Sequence, residues 1–107
     1  MTIRKLACMA LALVLALSMA SVAAADETIK IGVIGPMTGA YAVYGLGVAN
    51  GAQIAVDEVN ALGGVQLELL VEDDQGDGEM GVNAYNTILD KGGKIMLSTV
   101  TSGSCIA

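Results

Sequence analysis

Three short apolar runs, at residues 28–34, 65–71 and 94–97, alternate with two stretches whose apolar residues recur every three or four positions. This order of strand, helix, strand, helix, strand constrains the fold more than any other feature. The connections are short, so each helix must return the chain to start a strand parallel to the previous one. Such crossovers are right-handed. The expected fold class is α/β, a doubly wound parallel sheet.

The first run, TIKIGVI, begins with alternation and ends apolar on both faces, as a strand entering the middle of a covered sheet does. The PMTGAYAVYGLG segment that follows, residues 36–47, is rich in glycine and small residues and is expected to be a strand-to-helix loop. In the first helical stretch Val48, Ala52, Ala55, Val59 and Leu62 form the expected inward stripe, with Asn50, Gln53, Asp57 and Asn60 pointing elsewhere. Gly63-Gly64 stops it, because glycine takes the left-handed conformation that ends helices. The second strand runs into an acidic turn, EDDQGDG. Asp77 is placed to cap the next helix and Glu79 lies in its electropositive first turn; Val82, Tyr85, Ile88 and Leu89 are its expected inward stripe, closed by Lys91 and Gly92-Gly93.

Residues 1–25 read as a secretory signal peptide. Arg4 and Lys5 supply the basic start, residues 6–17 an unbroken apolar stretch, and Ala23-Ala24-Ala25 a small-residue cleavage pattern. An uncleaved membrane anchor is the alternative. Cys8 lies too early in the apolar stretch to be a lipoprotein cysteine and would leave with the signal, so Cys105 stays as a lone thiol without an internal partner. Loss of Arg4 and Lys5 takes the formal net charge from -6 to -8, with Lys30, Lys91 and Lys94 as the remaining bases. A chain so acidic is a poor partner for nucleic acid or an anionic membrane surface, and no direct membrane insertion is expected after cleavage. No helix follows the third strand to cover it, so residues 26–107 are expected to be part of a longer domain.

Ligands of doubly wound sheets gather beyond the carboxyl ends of the strands. The opening loop and the terminal TSGS segment both lie at such ends and are expected to be neighbours. Gly32, Gly35 and Gly39 miss the dinucleotide spacing, Gly45-Leu46-Gly47 has no third glycine in register, and no P-loop lysine exists, so nucleotide binding is disfavoured. The acidic turn resembles the start of a calcium loop, but the twelfth position is Ala84 where a bidentate carboxylate is needed; a solvated turn and helix cap account for these acids more simply. The chain holds no histidine, which removes Ser-His and Cys-His catalysis and histidine-ligated metals. No metal or cofactor is expected. Ser98, Thr99, Thr101, Ser102 and Ser104 offer hydroxyls and backbone N–H groups before a helix start, an arrangement suited equally to a carboxylate and to ordinary capping.

Taken together, the signal segment, IKIGVIGPMTGAYAVYGLGVANGAQIAVDEVNALGG, VEDDQGDGEMGVNAYNTILDKGGK and STVTSGS resemble the N-terminal end of a branched-chain amino acid ABC-transporter binding protein. The resemblance implies a periplasmic-binding-protein-like fold of type I, with residues 26–107 as the first part of lobe one. It implies a periplasmic or other extracytoplasmic protein that closes two lobes around an amino acid and delivers it to a membrane permease, without catalysis. Ser102 then corresponds to the residue that holds the ligand's α-carboxylate and Tyr44 to the aromatic that lines the pocket, with Thr101 and Gly103 flanking. Some relatives join the acidic turn to the strand-three loop by a disulfide; Gly76 and Thr101 stand at those positions here. Gly78 stands where proline is common, and Leu97-Ser98 where the strand end usually contains glycine. Two alternatives remain: a ligand-sensing receptor domain of the same fold, and an α/β enzyme of the nucleotide-binding type.

Overall fold

The computed structural model describes residues 2–20, 28–98 and 100–107. An N-terminal helix, α1 (Ile3–Ala20), is followed by β1 (Ile29–Gly35), α2 (Ala42–Ala61), β2 (Leu67–Asp73), α3 (Gly78–Asp90), β3 (Ile95–Leu97) and a single turn, α4 (Ser102–Cys105). Among the described residues, no contact between helix α1 and another element is found. The Ala23-Ala24-Ala25 cleavage pattern lies outside the described residues. No helix among the described residues is long and apolar enough to cross a membrane.

The three strands form one parallel sheet in the order β2-β1-β3. Successive strand residues point to opposite faces, and this assigns the helices. A Cβ added at Gly35 would lie 3.6 Å from the Cα of Gly45 in α2, whereas one at Gly32 would lie 2.6 Å from Ile88 in α3. Helices α2 and α3 therefore cover opposite faces, as the doubly wound expectation requires. The α3 side carries a cluster of Ile34, Ala84 and Ile88, completed by Leu70 and Met96. Burying Ile88 fully contributes on the order of 2 kcal/mol. On the α2 side Val33 and Val56 are buried.

The helix stops are as expected: Gly63 and Gly92 take φ of 77° and 86° just past the ends of α2 and α3, and Asp77 caps α3 by accepting a 3.0 Å hydrogen bond from the Met80 N–H. Four boundaries and faces differ. The opening loop spans only residues 36–41, because α2 begins at Ala42, six positions before the expected Val48. The buried positions of α2 are Gly45 and Val56, with Ala49, Ala52 and Asn60 half-buried between and beyond them; Val48, Ala55, Val59 and Leu62 are exposed. Glycine and alanine let the backbone lie close on the sheet, so small residues join Val56 on the inward face while Val48, Val59 and Leu62 stay outside. In α3 the expected Ile88 is buried, joined by Gly81 and Ala84, while Val82, Tyr85 and Leu89 are exposed.

The second strand is displaced two residues towards the acidic turn, running from Leu67 to Asp73. Asn60 explains its start. Its side-chain amide donates to the Leu67 carbonyl at 2.9 Å and its Oδ1 accepts from the Leu67 N–H at 2.7 Å, locking the strand's first residue to the end of α2. Asp73 is consequently the last strand residue, opposite Gly35.

Candidate functional site

Strand β1 lies between β2 and β3, with Val33 opposite Leu97 on one side and Gly35 opposite Asp73 on the other. All three strands run the same way. Residues 36–41, residues 74–77 and Ser98, which follow the three strands, therefore leave from one rim of the sheet. The expected neighbourhood of the opening loop and the TSGS segment is present, and the acidic turn joins them.

Each loop is held by a specific contact. Gly45 sits against the Pro36 carbonyl so closely that no Cβ fits, which seats the first turn of α2 directly on the end of β1. Tyr44, next to it, is directed outward and exposed. Asp73 reaches across from β2: its Oδ1 accepts from the Met37 N–H at 2.8 Å and the Gln75 N–H at 2.9 Å, and its Oδ2 accepts from the Thr38 hydroxyl at 2.6 Å. Burial alone raises the Asp73 pKa, but bonds from the Thr38 hydroxyl and from the Gln75, Met37 and Thr38 N–H groups outweigh it and hold the carboxyl below its ordinary value.

Asp74 is fully buried. This corrects the expectation of a solvated turn. Its Oδ1 accepts from the Gly76 N–H at 2.8 Å and its Oδ2 from the Ser104 hydroxyl at 2.7 Å. Its own N–H donates to the Gly35 carbonyl at 3.0 Å, and its carbonyl accepts from the Asp77 N–H at 2.8 Å. One residue thus ties the end of β1, the start of α3 and the turn α4 together. Gln75 and Gly76, with φ of 50° and 75°, turn the chain back sharply enough for these bonds to close. Sequence reasoning missed both braces; the signal was the pair of acids at a strand end followed by a glycine turn.

Among the hydroxyls of the last segment, Ser104 commits its proton to Asp74, and Ser98 pairs with the Cys105 thiol at 2.8 Å. Thr99 lies outside the described residues. Thr101 is half-buried in extended conformation at the cap of α4, and Ser102 and Gly103 are exposed in its first positions. The helical bonding of α4 begins with Cys105 N–H donating to the Thr101 carbonyl at 3.0 Å, so helix geometry leaves the N–H groups of residues 102–104 without intrahelical acceptors. The loops converge at Gly76: a Cβ there would lie 3.2 Å from the Tyr41 ring and 3.9 Å from the Thr101 methyl.

Two hollows lie away from Tyr44 and Ser102. A largely apolar one of about 390 Å³, lined by Ile34, Tyr85, Met96 and Cys105 among others, lies between α3 and β3 and touches neither Tyr44 nor Ser102. Another of about 580 Å³ lies at the opposite rim, beside Lys30, Lys91 and Lys94. No group of acids and cysteines that could hold a metal ion occurs among the described residues.

Residues 28–107 match the periplasmic binding protein family. The Leu/Ile/Val-binding protein BraC3 of Rhizobium johnstonii is 45% identical over 97 residues, which are 88% of this chain and 26% of that protein. An extracellular ligand-binding receptor from Verminephrobacter eiseniae superimposes with a TM-score of 0.69 at 27% identity, over 73% of this chain and 23% of the other. The branched-chain amino acid transporter substrate binding protein LivJ of Streptococcus pneumoniae, solved in complex with isoleucine, superimposes with a TM-score of 0.67 at 33% identity, over 73% of this chain and 24% of the other. The chain spans about a quarter of the length of the relatives it matches.

Proposed function

The chain belongs to the periplasmic binding protein family, and on that premise we propose that it forms one wall of an aliphatic amino-acid site in an extracytoplasmic solute-binding protein. The protein closes two lobes over its ligand and delivers it to the permease of an ABC importer, binding without turnover. Residues 1–25 serve as the export signal, and residues 26–107 form the first part of lobe one.

The observation that supports this reading is the parallel pairing of β1 with β3, which sends the loop before α2 and the segment before α4 out of the same rim; Tyr44 and Ser102 belong to the first turns of those two helices. An amino acid needs two kinds of contact there. Ser102 supplies a hydroxyl and a helix-start N–H for the carboxylate, flanked by Thr101 and Gly103, and charge-assisted bonds of this kind are the stronger class. Tyr44 supplies an exposed aromatic face for the apolar part. The chemistry of the relatives' named ligands, leucine, isoleucine and valine, fits both contacts.

Calorimetric titration of the full-length protein with leucine, isoleucine and valine tests the reading. Saturable heat with one site is expected; no heat from any of the three overturns it. One relative is an extracellular ligand-binding receptor, which favours ligand sensing as a second reading. Reconstituted uptake with the cognate permease separates the two, since only the transport reading predicts ligand-dependent import.

A further inference from the structure

We infer that Asp74 is the positioning residue of this site: it fixes the turn α4 and thereby orients Ser102 towards a ligand carboxylate. The inference rests on the reading of Ser102 as the carboxylate-binding hydroxyl. Helix α4 has only four residues and cannot hold its own position by helical bonding. It lies on the first turns of α3 through glycine contacts: Gly81 faces Ser104 with no room for a Cβ, and a Cβ at Gly78 would lie 2.9 Å from Ala107 and 3.6 Å from the Gly103 carbonyl. Such contacts permit close approach but set no direction. Direction comes from the Ser104 hydroxyl, which donates to Asp74 at 2.7 Å and lies 3.4 Å from the Asp77 carbonyl.

Asp74 is itself fixed from three sides, by its N–H on Gly35, by its carbonyl on Asp77 and by the Gly76 N–H on its carboxylate. A buried carboxylate with its bonds satisfied is rigid, whereas one with a missing donor is strongly destabilised, so Asp74 and Ser104 hold one geometry. Two hydroxyls two residues apart therefore divide the work. Ser104 turns inward to the fixed acid, and Ser102 is left exposed at the rim.

The test combines Asp74→Asn, Ser104→Ala and Ser102→Ala, singly and paired, in the full-length protein. Hydrogen exchange of the amides of residues 102–105 is followed without ligand, and leucine affinity is measured by calorimetry. Each of Asp74→Asn and Ser104→Ala is expected to accelerate exchange in 102–105 while leaving the centre of α2 protected, and to weaken leucine binding about ten-fold, the loss of one hydrogen bond. In the Ser102→Ala background the further loss should shrink below about two-fold, because residues acting through one contact are not additive. A merely structural role predicts additive losses, which overturn the inference, as does unchanged exchange in 102–105. Should Asp74→Asn fail to fold, Ser104→Ala and its restoration by Ser104→Thr carry the test. If the wild type binds no leucine, isoleucine or valine, the ligand reading is lost, and the exchange data alone decide whether Asp74 anchors α4.

Discussion

Ser104 donates its hydroxyl proton to the buried carboxylate of Asp74 at 2.7 Å, across 30 positions of sequence. Replacing Ser104 by alanine removes the donor and leaves the acceptor out of reach of water. The expected cost is about 1–3 kcal/mol. Urea unfolding should show a lower midpoint at unchanged slope; an unchanged midpoint contradicts the buried bond.

Gly45 admits no Cβ against the Pro36 carbonyl. Gly45→Ala is therefore expected to lower stability by roughly 1–3 kcal/mol through overpacking, although alanine is the better helix former. It should also shift the first turn of α2 and with it Tyr44. A variant more stable than the wild type rules out the close approach.

Asp73 has a carboxyl pKa held below its ordinary value of 3.8. The folded protein thus binds a proton here less readily than the unfolded chain does. The stabilisation is complete above 3.8 and is lost as pH falls through the lowered folded value. Asp73→Asn should be less stable than the wild type at pH 6, and the gap should narrow on acidification below pH 3.8. A gap that stays constant down to pH 2 shows that the carboxylate bonds to Met37, Thr38 and Gln75 contribute nothing through the charge.

Ile88 is fully buried at the centre of the cluster with Ile34 and Ala84. Ile88→Ala should cost about 2–5 kcal/mol by transfer and cavity formation. Leu89→Ala, at an exposed neighbouring position, should cost far less, and equal losses at the two positions reverse the assignment of the α3 face.

The order of elements, the parallel sheet and the two glycine helix stops were legible because each depends on local periodicity or on φ at single residues such as Gly63 and Gly92. The inward faces of α2 and α3 were legible only at Ala52 and Ile88. Hydrophobic periodicity favours Val48 and Val82, but Gly45 is buried against Pro36 at the end of β1 and Gly81 against Ser104 of α4, since close backbone approach outranks side-chain volume at both contacts. The start of α2 was hidden for the same reason: the glycines of residues 36–47 signal a loop, yet Gly45 serves helix packing. The roles of Asp73 and Asp74 were invisible to composition, because a run of acids reads as a solvated face until the partners Thr38 and Ser104, distant in sequence, are brought to it. The common rim of the opening loop and the segment after β3 was legible from topology alone.

Titration of the full-length wild type and its Ser102→Ala variant with leucine decides whether this rim grips an amino acid through Ser102. Single-site binding is expected for the wild type and an affinity roughly 10- to 150-fold weaker for the variant, the worth of a hydrogen bond to a charged group. Equal affinity in the two proteins contradicts it.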